Sequence, residues 1–102
     1  MDILNNLNLA KAAAINAGKI LTSSKAKLNI EKASDGKDIK LKADIEAEEI
    51  IKKHISNASN LPMLGEETGK SVEDLGRSFW VIDPLDGTAN YTRDIPLCCV
   101  SI

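Results

Sequence analysis

The sequence predicts an α+β fold, in which N-terminal helices pack against a mostly antiparallel or mixed sheet. Two segments within residues 1–57 repeat their apolar side chains with helical spacing, whereas the apolar segments that follow are short and β-prone. The chain has 102 residues, which is enough for one small domain with a modest core.

The first helix is predicted over residues 2–23, with Asp2 capping its start. Its apolar stripe consists of Leu4, Leu7, Ala10, Ala14, Ala17 and Leu21. The polar, lysine-rich stretch that follows, residues 28–43, predicts a hairpin in which Asp35 and Gly36 form the turn.

A second helix is predicted over residues 44–57, with Asp44 as its N-terminal cap. Its apolar stripe consists of Ala47, Ile50, Ile51 and Ile55, and its solvated face of Glu46, Glu48, Glu49, Lys52 and Lys53. Glu48 and Lys52 are expected to form an ion pair one turn apart. His54, the single histidine, is interpreted as structural, so a Ser–His–Asp or Cys–His mechanism has little support.

Two short strands are each predicted to end in carboxylates. Residues 61–64 are followed by Gly65-Glu66-Glu67, and the β-prone residues 79–82 are followed by Asp83-Pro84-Leu85-Asp86-Gly87-Thr88. A proline cannot donate to a sheet ladder, so the second strand is predicted to stop at about Asp83. If the two strands are neighbours, Glu66, Asp83 and Asp86 come together.

The last segment, residues 95–102, predicts a further apolar strand. Within it, Cys98 and Cys99 are interpreted as small core residues. Neighbouring strand residues point to opposite faces, so a mutual disulfide is not expected. Unpaired cysteines are typical of a reducing compartment, and the predicted location is cytoplasmic.

Composition restricts the partners of the chain. It is 43% hydrophobic and 27% charged, with a net charge of −2, which is ordinary for a soluble globular protein. No stretch is long and apolar enough to cross a membrane, and the N-terminus lacks the pattern of a signal peptide. The acidic balance, without a basic patch, argues against nucleic acid.

The clustered carboxylates favour a hard divalent cation. Carboxylates close together raise each other's pKa unless a cation neutralises them. Oxygen ligands at a strand end suit Mg²⁺, whereas the absence of a Cys/His ligand set argues against zinc. Gly87 would let the backbone approach a ligand, and Thr88 could begin a helix whose free N–H groups face a phosphate.

Asp83-Pro84-Leu85-Asp86-Gly87-Thr88, followed by Asn90-Tyr91, closely resembles the signature of the inositol monophosphatase family. Gly65-Glu66-Glu67 is similar to the family's paired-glutamate motif, and Lys42-Ala43-Asp44 to its upstream aspartate segment. The resemblance covers nearly the whole chain. It implies the N-terminal part of a layered αβαβα sugar-phosphatase-type fold and a Mg²⁺-dependent, lithium-sensitive phosphomonoesterase, with Mn²⁺ as an alternative ion.

The resemblance also implies a role for each site residue. Glu66, Asp83 and the Leu85 carbonyl would hold one metal ion, and Asp83 would bridge to a second ion bound by Asp86. Glu66 and Thr88 would position the attacking water, and Asp44 would face the same site. The substrate would be a small phosphorylated molecule contacted by Glu66, Leu85, Asp86, Gly87 and Thr88.

The resemblance further implies that residues 1–102 are the N-terminal portion of a single domain whose C-terminal half supplies more sheet, a further metal-binding aspartate and most substrate-selecting residues. We therefore expect the isolated chain to lack phosphatase activity and to self-associate or stay partly unfolded. A homodimer is conceivable for the full-length protein.

Three alternatives stay open. In the first, the chain is a non-catalytic half-domain that binds metal or a partner. In the second, it belongs to the 3′,5′-bisphosphate nucleotidase branch. Asn90-Tyr91 favours the inositol monophosphatase branch instead, since members of the nucleotidase branch commonly have lysine and glutamate at positions 89 and 90. The third alternative, a haloacid-dehalogenase mechanism with Asp83 as covalent nucleophile, needs two acids two residues apart, whereas Asp83 and Asp86 are three apart.

Overall fold

The computed structural model describes residues 2–29, 31–34 and 39–102. The helices are α1 (Ile3–Ser23), α2 (Lys25–Leu28), α3 (Lys42–Ser56) and α4 (Thr88–Thr92). The strands are β1 (Glu31–Ser34), β2 (Ile39–Leu41), β3 (Met63–Gly65), β4 (Gly69–Lys70), β5 (Trp80–Asp86) and β6 (Cys99–Ser101). The predicted α+β class is therefore confirmed.

The larger sheet has four strands in the order β4-β3-β5-β6. Its outer pairs are antiparallel, so the sheet is mostly antiparallel as predicted, but the central pair of β3 and β5 is parallel. In that pair Gly65 lies opposite Ile82. Because parallel strands end at the same edge of a sheet, the residues that follow, Glu66 and Asp83, come side by side.

Helix α3 packs between α1 and β5, and the core lies along these contacts. The buried apolar side chains are Ala13, Ala17, Leu21, Leu28, Leu41, Ala43, Ala47, Ile51, Ile55, Met63, Trp80, Ile82, Leu85 and Tyr91. The Tyr91 hydroxyl donates a 2.7 Å hydrogen bond to the Leu21 carbonyl, which fixes α4 against the end of α1. A buried phenol needs such a partner.

Helix α1 begins as predicted, because Asp2 accepts a hydrogen bond from the Asn5 N–H at 3.1 Å. Its predicted stripe is only partly correct. Leu4 and Leu7 are more than half exposed, since the first turns of α1 extend beyond the packed core. Further along the helix, Ala13 is buried, although it was not on the predicted stripe.

The polar hairpin is present as the antiparallel pair of β1 and β2. Its predicted turn residues, Asp35 and Gly36, lie outside the described residues. Between α1 and this hairpin the chain forms the short helix α2, which the sequence did not predict. Lys25, at the start of α2, pairs with Asp94 and lies 4.7 Å from the centre of the Tyr91 ring.

Helix α3 differs from its prediction in two ways. It begins at Lys42 with Leu41 as N-cap, so Asp44 lies inside the first turn rather than in the capping position. Glu48 is fully buried, so its assignment to the solvated face is wrong. Lys52 does not pair with Glu48 but donates a 2.9 Å hydrogen bond to the Thr68 hydroxyl.

Strand β5 does not stop at Asp83 but continues to Asp86. The pairing with β6 skips between Asp83 and Asp86, which is a bulge, and Pro84 lies inside it. A bulge leaves a residue unpaired, so Pro84 costs no ladder hydrogen bond. Strand β6 is shorter than predicted, and Cys98 and Cys99 are both free and exposed rather than core residues.

His54 lies on α3 and accepts a 3.1 Å hydrogen bond at Nδ1 from the Asn16 side chain of α1. This contact between helices agrees with the structural interpretation of the histidine. Within the described residues, no helix combines the length and the apolar character needed to cross a membrane.

The core around α3 gives a direct stability test. We expect Ile51→Ala to lower the free energy of unfolding by about 2–5 kcal/mol, because Ile51 is fully buried and its removal leaves a cavity. Ile15→Ala is the matched control, since Ile15 is 57% exposed on another helix and its truncation should cost less than about 0.5 kcal/mol. Urea unfolding measures both, and equal losses would contradict this description of the core.

Candidate active site

The ends of β3 and β5 bring two of the predicted metal ligands together. The Glu66 N–H donates a 3.0 Å hydrogen bond to the Ile82 carbonyl and continues the parallel ladder past Gly65. The Glu66 side chain lies near enough to Asp83 for the two carboxyl groups to alter each other's titration. A hydrogen bond between two carboxyl groups forms only when one of them is protonated.

The neighbouring Asp83 carboxyl group alters the titration of Glu66. A hydrogen bond with Asp83, together with desolvation and nearby negative charge, raises the pKa of Glu66 from 4.5 to about 7. Because the two groups titrate together, the pair as a whole holds one proton more readily below about that pH. The pair therefore carries less negative charge than two free carboxylates, which is the expected response of close acids without a cation.

The signature segment after Asp83 has a fixed local geometry. Asp83 Oδ1 accepts a 3.3 Å hydrogen bond from the Leu85 N–H, and both Pro84 and Leu85 are buried. Asp86 is exposed, and its Oδ2 accepts a weak hydrogen bond of 3.8 Å from the Cys99 thiol. The buried residues hold the backbone in place, whereas the Asp86 carboxylate faces outward.

Thr88 joins this segment to α3. Its hydroxyl oxygen lies 3.0 Å from Asp44 Oδ1 and 3.0 Å from the Leu85 carbonyl oxygen. A hydroxyl has one proton, so it donates to only one of them at a time. When it donates to Asp44, the Leu85 carbonyl is available to another ligand, and a lone pair of Thr88 is free to accept a proton.

Asp44 is buried and held from two sides. Its Oδ2 accepts a 2.9 Å hydrogen bond from the Leu41 N–H, and its Oδ1 accepts from Thr88. Burial raises the pKa of Asp44, although these two hydrogen bonds oppose the shift. Asp44 is thus not the N-cap residue that was predicted, but it accepts a hydrogen bond from the N–H of the N-cap residue Leu41. As predicted, it lies next to the signature segment, through its contact with Thr88.

Gly87 is required by both conformation and space. Its φ of +89° lies in the left-handed region, and a Cβ there would come within 2.7 Å of the Leu97 carbonyl oxygen. The chain can therefore turn sharply from β5 into α4 only with glycine at this position.

One site residue escaped the sequence analysis. Glu48 Oε1 accepts a 3.0 Å hydrogen bond from the Glu67 N–H, next to Glu66. Its helical spacing could have identified it, because Glu48 stands three residues before Ile51 and seven before Ile55 and so shares their buried stripe.

The oxygen donors around Glu66 and Asp83 fit a hard cation such as Mg²⁺. Two neighbouring carboxylates can both bind one metal ion in place of a proton, and the Leu85 carbonyl is a further oxygen two residues along the same segment. In the parts of the chain that the structure describes, no three acidic, histidine or cysteine side chains converge closely enough to hold a metal by themselves. Any ion here would thus also need water, backbone or substrate oxygens.

A separate apolar cavity of about 540 Å³ lies between α1 and the segment around β6. Leu21, Tyr91 and Val100 are among the residues that line it. Such a lining does not suit a phosphate, so this cavity is distinct in character from the strand ends.

Residues 4–102 match the model of the inositol monophosphatase family. The chain belongs to the inositol monophosphatase family. The predicted resemblance is thereby confirmed. The family's enzymes among its relatives are phosphatases, which supports phosphatase function at the level of the family.

The chain is 39% identical to the histidinol-phosphatase of Streptomyces coelicolor, over 94% of this chain and 36% of that protein. It is 34% identical to the inositol-1-monophosphatase of Synechocystis sp., over 99% of this chain and 36% of that protein. The crystal structure of extragenic suppressor protein suhB from Bartonella henselae superposes with a TM-score of 0.81 and 31% identity, over 94% of this chain and 38% of that one. The chain thus spans little more than a third of the length of these relatives.

The raised pKa of Glu66 predicts that the stability of the metal-free protein depends on pH. Folding raises the pKa of Glu66 from 4.5 to about 7, so between these values the folded state binds more protons than the unfolded chain. The contribution of Glu66 to stability is therefore lost as the pH rises through this window. Asp83→Asn removes the partner's charge, so we expect the loss to shrink.

Urea unfolding at about pH 5 and about pH 8 with a chelator present measures this difference. Glu73→Gln, a change at an exposed carboxylate in the loop after β4, is the control and should leave the pH dependence as in the wild type. An Asp83→Asn variant with the wild-type dependence would rule out Asp83 as the main cause of the raised Glu66 pKa.

Proposed function

We propose that this chain forms the metal-binding part of a Mg²⁺-dependent phosphomonoesterase that hydrolyses a small phosphorylated substrate with water. The observation that carries the proposal is the parallel register of β3 and β5, which places the carboxyl groups of Glu66 and Asp83 next to each other at the strand ends. Thr88 and Asp44 lie on the same signature segment and on the helix beside it. Because the chain spans little more than a third of its relatives' length, the proposal concerns these residues within the whole protein.

In this proposal the oxygen ligands come from both strand ends. Glu66, Asp83 and the Leu85 carbonyl would hold one ion, and Asp83 with the exposed Asp86 would hold a second. Mn²⁺ is an alternative to Mg²⁺, since both accept oxygen ligands. When bound, these ions supply the positive charge that activates an attacking water and stabilises the leaving alkoxide.

Thr88 and Asp44 act on the proton of that water. When the Thr88 hydroxyl donates to Asp44 Oδ1, its oxygen keeps a lone pair that can accept a hydrogen bond from the water. Burial raises the pKa of Asp44, which makes it a better acceptor for a proton passed through the hydroxyl. Glu66 would help to position the same water.

The backbone at Gly87 and Thr88 is proposed to contact the phosphate, because these residues join the end of β5 to the start of α4, directly after the proposed ligand Asp86. The names of the two phosphatase relatives specify different substrates. The proposal is therefore restricted to the class of small phosphomonoesters, which includes inositol, sugar and nucleotide phosphates.

Metal binding tests the ligand assignment. We expect Asp83→Asn to weaken Mg²⁺ or Mn²⁺ binding more than Asp86→Asn or Glu66→Gln does, because Asp83 alone would contact both ions. Isothermal titration calorimetry on the three variants gives the comparison, with Glu73→Gln as the control that should bind like wild type. Unchanged affinity in Asp83→Asn would refute the bridging assignment.

Activity tests the hydroxyl. We expect Thr88→Ala to lower kcat on the order of 10²-fold with little change in KM, because the proton acceptor relay is lost while phosphate binding remains. Thr88→Ser, which keeps a hydroxyl, should retain most of the rate. Steady-state hydrolysis of a phosphomonoester compares them, and a Thr88→Ala enzyme with wild-type kcat would reduce Thr88 to a structural role.

A further inference from the structure

The fully buried carboxylate of Glu48 makes an unusual contact next to the proposed metal ligands. Its Oε1 accepts a 3.0 Å hydrogen bond from the Glu67 N–H, and within the described residues no donor reaches its Oε2. Taking a carboxylate out of water is costly unless specific contacts compensate for the lost hydration. If position 48 served only to pack the core, a hydrophobic side chain would fill it at a lower cost in free energy.

Gly65 is shaped to receive this carboxylate. A Cβ on Gly65 would lie 2.5 Å from Glu48 Oε1 and 2.8 Å from Oε2, closer than real Cβ atoms approach any neighbour. The φ of Gly65 is not in the left-handed region, so a side chain is excluded here by the position of the Glu48 carboxylate and not by backbone conformation. Glu48 and Gly65 are therefore complementary, with the carboxylate standing where any side chain at position 65 would be.

The two contacts of Glu48, with Gly65 and with the Glu67 N–H, lie on either side of Glu66. Gly65 precedes Glu66, and Glu67, whose N–H donates a hydrogen bond to Glu48, follows it. One helical turn later, Lys52 donates to the Thr68 hydroxyl at 2.9 Å, which ties the same loop to the same helix. The backbone on each side of Glu66 is thus fixed to α3, while the Glu66 side chain itself is exposed and directed to Asp83.

We propose that Glu48 is a positioning residue, whose buried carboxylate sets the backbone of the Gly65-Glu66-Glu67 turn so that Glu66 and Asp83 can hold one metal ion. The identity of the ion in this inference rests on the proposed function. The geometry is independent of the proposed function, because the contact of Glu48 with the turn is present without metal. A residue that only filled the core would affect stability but not the affinity of the turn for metal.

Four variants separate positioning from packing. Glu48→Ala removes both the acceptor and the side-chain volume, whereas Glu48→Gln keeps an oxygen for the Glu67 N–H. Gly65→Ala places a methyl group into the carboxylate, and the double variant Glu48→Ala/Gly65→Ala relieves that clash and refills part of the space. Glu49→Ala, at an exposed position on the same helix, is the matched control.

Each variant is measured for urea unfolding, for hydrogen exchange of the Glu67 amide by NMR, and for Mg²⁺ affinity by calorimetry. In Glu48→Ala we expect faster exchange at Glu67 and about 10-fold or greater loss of Mg²⁺ affinity, as is typical when an outer-shell partner is removed. In Glu48→Gln we expect lower stability but slow exchange and near wild-type affinity. In the double variant we expect the free energy of unfolding to recover relative to the single variants. Its Mg²⁺ affinity should stay low, and its Glu67 amide should still exchange fast.

A folded Glu48→Ala variant with wild-type Mg²⁺ affinity and Glu67 exchange would overturn the proposal, as would a double variant that regains both. If Glu48→Ala does not fold, the comparison of Glu48→Gln with the double variant decides the question. If the wild-type protein binds no Mg²⁺, the proposed function fails, but the exchange of the Glu67 amide still decides whether Glu48 sets the turn.

Discussion

The contact of helix α3 with two strand ends is the constraint on which the rest of the candidate site depends. Asp44, Glu48 and Lys52 are spaced one helical turn apart and reach, in that order, Thr88, the Glu67 N–H and Thr68. Because α3 is held by its apolar stripe against α1 and β5, these three polar groups are placed by the packing of the core. A rigid element thereby sets the positions of two loops.

The same arrangement concentrates negative charge. The ends of β3 and β5 place Glu66 beside Asp83. The pKa of Glu66 is raised first by a hydrogen bond with Asp83, and further by desolvation and by the negative charges of Asp83, Glu67 and Asp44, which repel the ionised form. A divalent cation is the ligand that would relieve this repulsion, so the electrostatic strain and the proposed chemistry have one cause.

Much of this could be predicted from the sequence, because it depends on local signals. The helical spacing of apolar residues predicted α1 and α3. The acids that follow two apolar segments predicted that Glu66 and Asp83 lie close together at strand ends. Other features depend on long-range packing. The burial of Glu48 requires the loop after β3 to supply an N–H, and β5 passes through Pro84 only because the pairing with β6 contains a bulge. The exposure of Cys98 and Cys99 likewise depends on where β6 lies in the sheet.

The most direct test of the account is a crystal structure of the protein grown with Mn²⁺, whose anomalous scattering locates the ion. The account predicts a Mn²⁺ ion within coordination distance, about 2.1 Å, of carboxylate oxygens from both Glu66 and Asp83, with α3 and the Glu48–Glu67 hydrogen bond unchanged. An ion bound elsewhere, or bound without a contact to Asp83, would contradict it.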